Sequence, residues 1–173
     1  ILLDANDPDS ASHPKVDKTA WAIHGQIHKT VPSARVVMHL HPIHATAIAC
    51  LKNPVIPPID QNSARYFIRV AINSHYGGMA DSAEEGARLA ALLGNHSRLM
   101  MGNHGVLVIS DDIGVAFDDM YTMERACEIV TTAYATGQEL NVLADDVAEA
   151  TADRASTCTR ISPTPSCPAW STW

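Results

Sequence analysis

The stretch "SARVVMHLHPIH", residues 33–44, places three histidines within six positions at the end of a β-branched and apolar run. Such a run favours a β-strand, because branched side chains pack well on a pleated surface. Side chains two residues apart on a strand project to the same side, so His39 and His41 are predicted to point toward one place. Pro42 then ends the strand, and the following "ATAIACLK" predicts a short helix. The predicted fold is built outward from this strand.

The composition favours a single domain that binds neither nucleic acid nor membrane. The 173 residues are 46% hydrophobic and 18% charged, which is enough apolar material for one sizeable core. The net charge of -7 and the scattered lysines and arginines argue against a surface that binds phosphate backbones. No apolar run approaches the roughly eighteen residues of a membrane-spanning helix. A small molecule or another protein is therefore the expected partner.

The last part of the chain differs in composition from the rest. From about residue 150, "TADRASTCTRISPTPSCPAWSTW" gains serine, threonine and proline and loses apolar periodicity. Such a composition predicts weak order, because too little apolar surface is available for burial. We therefore divide the chain into a domain over residues 1–150 and a weakly ordered extension over 151–173. The abrupt opening "ILLDAND" is consistent with a fragment that lacks its native N-terminus.

The cysteines give an expectation about location. Four of them lie far apart, without a CxxC pair or the spacing of a zinc ribbon. Secreted domains that use cysteines structurally tend to show a denser disulfide framework. Nothing at the start of the chain resembles a signal peptide. These features predict reduced thiols in a cytoplasmic protein.

Strand-like and helix-like segments interleave along the chain, without the glycine-rich turns of a dinucleotide fold. In chain order we predict a short strand in "ILLDAND", an amphipathic helix over 17–30, strands in "ARVVMH", "VIPPID" and "YFIRVAI", a helix in "DSAEEGARLAALLGN", two strand segments in "RLMMGNHGVLVIS", and a long helix over roughly 112–136. The methionine-rich stripe of that long helix predicts core packing. The alternation predicts a layered α/β protein.

A third histidine completes a candidate metal site. In "MGNHGVLV", His104 lies in a glycine-flanked turn between two strand-like segments. Neutral imidazole is a common zinc ligand, and three histidines plus water make an open catalytic site. We predict that His39, His41 and His104 bind a divalent ion, while a surface or hydrogen-bonded core position is the alternative for each. His24 and His28, four residues apart on the first predicted helix, either line this site or simply pack.

Three segments, "SARVVMHLHPIHATAIA", "RLMMGNHGVLVIS" and "GVAFDDMYTMERACEIV", resemble in order and spacing the class II aldolase and adducin N-terminal domain family. The resemblance covers roughly residues 15–136. It implies an α/β fold with three layers, α/β/α, around a central, mostly antiparallel sheet. It also implies a homo-oligomer, usually a tetramer, with active sites near subunit contacts. In the family's enzymes three histidines hold a divalent cation, commonly zinc, which by resemblance assigns His39, His41 and His104 as ligands.

The resemblance also implies a chemistry. The family's enzymes are metal-dependent lyases in which the ion acts as a Lewis acid on the oxygens of an enediolate, formed when a carbon–carbon bond next to a carbonyl breaks. Related members are epimerases, dehydratases or decarboxylases. The expected substrate is small, oxygenated and anionic.

The sequence departs from the aldolases at the position of their acid/base glutamate. That position is Ala20 here, and a methyl group cannot move a proton. Asp17, about one turn earlier on the same predicted helix, is one candidate to replace it. The tyrosine proton donor of the aldolases aligns with Gln61, and Tyr66 lies nearby as the second candidate. The residues that carry catalysis are therefore unknown from sequence.

A second departure concerns the phosphate site. The phosphate-binding serines expected just before the glutamate are replaced by Lys18 and Thr19. Such losses are similar to the adducin branch of the family, in which the domain serves assembly without known catalysis. Two hypotheses follow: a metal-dependent lyase of the aldolase or decarboxylase type, and a non-catalytic, adducin-like oligomerisation domain with a structural or vestigial metal.

Overall fold

A four-stranded sheet forms the middle layer of the computed structural model, which describes residues 2–7, 9–79 and 81–158. Its strands are β1 (Val36–Leu40), β2 (Ala71–Asn73), β3 (Arg98–Met101) and β4 (Gly105–Ser110). The spatial order is β1-β4-β3-β2. Strand β4 runs antiparallel to both of its neighbours, and β2 alone is parallel to its neighbour β3. The sheet is therefore mostly antiparallel, as predicted.

Helices precede, separate and follow these strands. A 3-10 turn at Ser10–Ser12 is followed by α1 (Lys18–Thr30), α2 (Ile43–Ala49), α3 (Gln61–Ala64), α4 (Ala83–Leu93), α5 (Ile113–Ala135) and α6 (Asp145–Cys158). Side-chain caps explain where three of them begin: Asp17 accepts the Ala20 amide, Ser82 the Glu85 amide, and Asp112 the Gly114 and Val115 amides. Within the described ranges, no helix combines the length and apolarity needed to cross a membrane.

The core lies on both faces of the sheet. One face packs against α2 and α5 through a cluster that includes Met100, Val106, Val108, Met120 and Met123. The opposite face packs against α1 and α4 through a cluster that includes Ile23, Ile27, Leu89, Leu99 and Leu107. Successive residues of β4 alternate between the two clusters, as a pleated strand requires. The predicted three-layer α/β/α architecture is confirmed, and so is the core position of the α5 methionine stripe.

Two predicted strands are wrong and one is much shorter than predicted. Residues 2–4 form no strand, because the Asp4 carboxylate accepts the Asn6 amide and starts a turn. "VIPPID" forms none either: its two prolines cannot donate to a ladder, and the amides of Ile59 and Asp60 both bond the Ser63 hydroxyl at 2.9 Å. In "YFIRVAI", turns occupy the first half and only Ala71–Asn73 is extended.

Helix α6 crosses the division predicted at residue 150. Ala148 and Ala152, four residues apart, are fully buried and give this polar helix an apolar contact face. Arg69 anchors its outer side, with a guanidinium nitrogen 2.6 Å from a carboxylate oxygen of Asp153. Residues 151–158 are thus helical, contrary to the expectation of weak order there. The remainder of the predicted extension, residues 159–173, lies outside the described residues.

Gly86 is required where α1 crosses α4. A Cβ built at Gly86 would collide with the carbonyl oxygen of Ala22 on α1. We expect Gly86→Ala to lower the free energy of unfolding by about 1–3 kcal/mol, the usual cost of overpacking, although alanine is the better helix former. Urea denaturation measures this. Ala87→Ser, on the exposed neighbour, should change the stability by less than about 0.5 kcal/mol. An unchanged or higher stability of the Gly86 variant would contradict the close crossing.

Candidate metal centre

Three histidine rings converge at one end of the sheet. His39 lies on β1, His41 directly follows that strand, and His104 lies in the turn between β3 and β4. The ring centroids are 4.9 Å apart for His39 and His41, 4.8 Å for His39 and His104, and 4.7 Å for His41 and His104. One ring nitrogen from each lies within 4.8 Å of the others. The side chains predicted to share a site are therefore side by side.

Glycines allow the turn that carries His104 to approach the end of β1. A Cβ at Gly105 would lie 2.5 Å from the carbonyl oxygen of Leu40 and 2.6 Å from a ring carbon of His41. A Cβ at Gly102 would lie 2.6 Å from the carbonyl oxygen of Asn73, which accepts the Gly102 amide. Both sites exclude a larger residue without movement of the backbone. This is the physical reason for glycines on both sides of the "NH" pair.

The surroundings of His39 fix its tautomer. Its Nδ1 lies 3.0 Å from the carbonyl oxygen of Val106, which only accepts hydrogen bonds, so Nδ1 carries the proton. Its Nε2 then presents a lone pair and lies 3.1 Å from Nε2 of His41. Burial lowers the pKa of His39 to about 4. Burial, and secondly the neighbouring His41, also lower the pKa of His104. The His39 and His104 rings are thus neutral near pH 7, the form in which imidazole binds metal.

Glu124 on α5 holds the segment that follows His41. Its carboxylate accepts the backbone amides of His44 at 3.0 Å and Ala45 at 2.8 Å, and the Nδ1 proton of His44 at 2.8 Å. These groups lie in the first turn of α2, whose own N-cap, Pro42, has no side-chain acceptor. Sequence analysis missed this role, because the partners are about eighty residues apart. His44 is turned toward Glu124 and does not join the three-histidine cluster.

Glu124→Ala is expected to loosen the start of α2 and, with it, His41. We expect a stability loss of about 1–3 kcal/mol, since buried amide donors lose their acceptor. Zinc affinity should fall about tenfold, the lower end of the effect for residues that orient metal ligands. Urea denaturation and competition with a chelator measure the two effects. Glu128→Ala, one turn along α5, is the matched control. Glu124→Gln keeps a hydrogen-bond acceptor and should therefore lose less stability and less zinc affinity than Glu124→Ala. A Glu124→Ala protein with full zinc affinity would contradict the positioning role.

The histidines lie on the wall of an open cavity of about 670 Å³. Helix α1 contributes Thr19, Ala20, Ile23 and His24 to the wall, and the segment after β2 contributes Tyr76 and Met79. Ala20, which by resemblance takes the place of the aldolases' glutamate, is thus one of the lining residues. Of the two histidines on α1, His24 lines the cavity, and burial followed by the nearby His28 lowers its pKa. His28 does not line the cavity: it is exposed, with Nδ1 2.8 Å from the carbonyl oxygen of Ala34.

The structure does not bring the two predicted acid/base candidates to this cavity. Asp17 caps α1: its carboxylate accepts the Ala20 amide at 2.9 Å and the Thr19 hydroxyl at 2.6 Å. These hydrogen bonds lower the pKa of Asp17, and the bond from the Thr19 hydroxyl has the largest effect. The carboxylate is therefore ionised. Tyr66 is buried in the core on the α5 side, where its hydroxyl donates to the carbonyl oxygen of Asp119 at 2.9 Å. Neither residue lines the cavity.

The residues that line the cavity without having been assigned from sequence include Tyr76, Met79 and Asn103. The Tyr76 ring lies 6.2 Å from the His104 ring, centroid to centroid. Asn103 adopts a positive φ of 54° in the turn. An aromatic residue before the paired glycines of "SHYGG" was the available signal, because loops at the end of strands often carry binding residues.

Residues 1–131 match the Class II Aldolase and Adducin N-terminal domain. The chain belongs to this family. The family predicted from the HxH and NHG segments is therefore confirmed, and so is the fold that the resemblance implied. The family is named for aldolases and adducins alike, so membership by itself does not decide between the two hypotheses.

Curated relatives of this aldolase/adducin domain include both kinds of protein. A Pseudomonas aeruginosa protein assigned to aldolase class 2 is 31% identical over 142 residues, which cover 81% of this chain and 54% of that protein. Decarboxylase NovR of Streptomyces niveus is 24% identical, covering 80% of this chain and 53% of NovR. Human gamma-adducin is 30% identical, covering 70% of this chain and 17% of the adducin. The chain spans about half the length of the first two relatives.

A solved structure agrees with the assignment of the domain. The crystal structure of an aldolase II superfamily protein from Pseudomonas syringae superposes with a TM-score of 0.79 at 27% identity. The match covers 92% of this chain and 63% of that protein. The similarity therefore extends over nearly the whole aldolase/adducin domain described above.

Proposed function

We propose that this domain belongs to a divalent-metal-dependent lyase that cleaves or decarboxylates a small, oxygenated, anionic substrate. The observation that carries the proposal is the convergence of His39, His41 and His104 on the wall of an open cavity. Three protein ligands with room beside them are typical of a catalytic metal site, whereas structural zinc sites have four. Zinc is the ion we expect, because three neutral imidazoles suit it.

When bound, the cation would supply a Lewis acid that stabilises negative charge on a substrate oxygen as a neighbouring carbon–carbon bond breaks. The chain's own contribution is to bring the three imidazoles together, to lower the pKa of His39 and His104 through burial, and to fix the His39 ring by the Val106 carbonyl. Two groups in the cavity wall can move a proton: the Tyr76 hydroxyl and the His24 imidazole. His24 lies one turn beyond Ala20 on the same helix, so we assign it the acid/base task that Ala20 cannot perform.

Decarboxylation is the favoured form of the reaction. Loss of carbon dioxide needs a group that accepts the electron pair of the broken bond more than it needs a strong base. The change from glutamate to Ala20 removes a base and leaves the three ligands intact. The relative named as a decarboxylase supports this form.

The alternative is an adducin-like oligomerisation domain whose metal is structural or vestigial. A stripe on α5 favours it: Ile113, Phe117 and Tyr121, spaced by four residues, are each about 60% exposed, and the last two rings stack. Exposed apolar stripes commonly mark protein contacts. Both proposals include assembly into a homo-oligomer, with a tetramer as the expected form.

The proposed location is the cytoplasm. The free thiols of Cys50 and Cys127 are consistent with it.

Metal analysis followed by product assays tests the lyase proposal. Purified protein is expected to retain close to one divalent ion per chain. Turnover is then measured with sugar phosphates, α-hydroxy acids and β-keto acids, before and after treatment with a chelator. We expect one of the acids to release carbon dioxide. This release should stop when the metal is chelated and should return when zinc is added. A zinc-loaded oligomer that turns over none of these three substrate classes would favour the adducin-like alternative. Turnover that continues after chelation would contradict the metal-dependent mechanism.

A further inference from the structure

We infer that the cavity beside the three histidines accepts a hydroxy or keto acid that carries an aryl or branched alkyl group, and not a phosphorylated sugar. The inference rests on the proposed function, since it places the oxygenated end of the acid at the metal. It adds the chemical character of the rest of the substrate. The argument depends on the side chains of the cavity wall and on the charges around them.

Apolar side chains from two segments form part of the wall. Ala20 and Ile23 come from α1, and Tyr76 and Met79 come from the segment after β2. Tyr76 is 46% exposed and Met79 70% exposed. Apolar carbon that is exposed at a cavity is the surface from which a hydrocarbon group displaces water favourably.

The polar groups of the wall are concentrated around the histidines. Asn103 is next to His104 in the turn, and the ring nitrogens of the three histidines face one another. A carboxylate with a neighbouring hydroxyl or carbonyl oxygen suits that end, because hard oxygen donors bind divalent ions. The cavity volume of about 670 Å³ is within the range of small-molecule sites and leaves room for a ring beyond these oxygens. The wall thus has a polar end and an apolar end.

The same wall offers little to a phosphate group. Among the described residues, no lysine or arginine side chain lines the cavity. Binding sites for phosphate normally supply such cations, or free amides at a helix N-terminus. The start of α1 does not supply the latter, because Asp17 already accepts the Ala20 amide and carries a negative charge of its own.

The charged pair on α4 does not supply a free cation either. Glu85 is close enough to His104 for its charge to act on that imidazole. Arg88, one turn later, is paired with it, because two of its nitrogens each lie 2.7 Å from an oxygen of Glu85. Among the described residues of the wall, a phosphate dianion would therefore meet no unpaired cationic side chain, and only the metal would balance its charge. An acid with a single carboxylate at the metal does not need a second cation.

Matched ligand pairs test the inference by calorimetry on the zinc-loaded full chain. Mandelate and lactate share an α-hydroxy acid group and differ only in a phenyl or a methyl substituent. We expect mandelate to bind at least about tenfold more tightly, since burial of a phenyl ring contributes well beyond a methyl group. The affinity for dihydroxyacetone phosphate should exceed that for dihydroxyacetone by less than about threefold, once the affinity of inorganic phosphate for the bound zinc has been taken into account.

One variant assigns the preference to the wall. Met79→Ser removes an exposed apolar side chain of the wall and should reduce the ratio of mandelate to lactate affinity at least about threefold, with unchanged zinc content. Leu92→Ser, which removes an exposed apolar side chain on the surface of α4, is the control and should leave the ratio unchanged.

Each failure has a different signature. Equal affinities for mandelate and lactate in a zinc-loaded protein would overturn the inference while the metal-dependent lyase stands; this is also the result expected if a second copy of the chain covers the apolar wall. Tighter binding of the phosphorylated sugar than of mandelate would overturn it as well. Failure of zinc to bind would appear in the preceding zinc titration and would overturn the proposed function itself, and with it this inference.

Discussion

Replacing His39 with alanine is expected to weaken zinc binding by at least about 100-fold. Loss of a residue that merely orients a metal ligand costs about 10–100-fold in affinity, so loss of a ligand should exceed that range. Of the three proposed ligands, His39 is oriented by the Val106 carbonyl, which fixes its proton on Nδ1 and leaves Nε2 free for the metal. Competition between the protein and a chromogenic chelator measures the affinity directly. Zinc-dependent turnover, where it is found, should fall in parallel.

A control separates metal binding from folding. His96 is exposed on the surface after α4, away from the three-histidine cluster, and His96→Ala should leave zinc affinity unchanged. The His39→Ala protein should remain folded, with a stability loss near the roughly 1 kcal/mol of one hydrogen bond. Zinc affinity within threefold of the unmodified protein would show that the cluster does not bind metal through His39. In that case the chemistry proposed for the cavity would lack its centre.

Asp119→Ala is expected to produce the largest loss of stability. Asp119 is 4% exposed on the inner side of α5, and its carboxylate lies 2.5 Å from Nε of Arg98 and 3.1 Å from a guanidinium nitrogen of Arg65. Removal of one partner from a buried ion pair leaves an uncompensated charge, which typically costs about 3–5 kcal/mol. For a chain of this size that corresponds to a fall in Tm of roughly 6–20 °C. Urea denaturation and thermal unfolding both measure it.

The neighbouring carboxylate is the control for this prediction. Asp118 also pairs with Arg65, at 2.9 Å, but its side chain is 56% exposed. Solvent screens such a pair, so Asp118→Ala should cost less than about 1 kcal/mol. Equal effects of the two substitutions would mean that burial does not set the strength of the Asp119 pairs. Asp119→Ala protein with unchanged stability would show that the two arginines find other partners or water.

Local chemistry was sufficient to predict many elements. The cap at Asp17 and the glycine stop at Gly94 bounded two helices correctly to within a residue or two. The alternation of side chains on a strand predicted that His39 and His41 would share a side, and their ring centroids are 4.9 Å apart. These predictions succeeded because each depends on residues a few positions apart, whose interaction a linear pattern contains.

Other predictions failed where distant residues override the local pattern. Tyr66 has the β-propensity of a strand residue, yet it lies in a turn, because its hydroxyl donates to the backbone of Asp119 more than fifty residues away. Helix α6 has a polar sequence, yet two buried alanines and the Arg69–Asp153 pair hold it against the domain. Such contacts are invisible to periodicity, because they depend on which surfaces the fold brings together.

The candidate site divides in the same way. The alternation of segments predicted the layered α/β architecture, strand alternation predicted that His39 and His41 share a side, and the resemblance of three segments predicted the family; each of these depends on patterns that the linear sequence contains. Only the tertiary structure decided what surrounds those imidazoles: the cavity wall with Tyr76 and Met79, the anchoring of α2 by Glu124, and the exclusion of Asp17 and Tyr66 from the cavity. The physical reason is that a cavity wall is assembled from segments far apart in the chain, and their proximity is set by the packing of helices on both faces of the sheet.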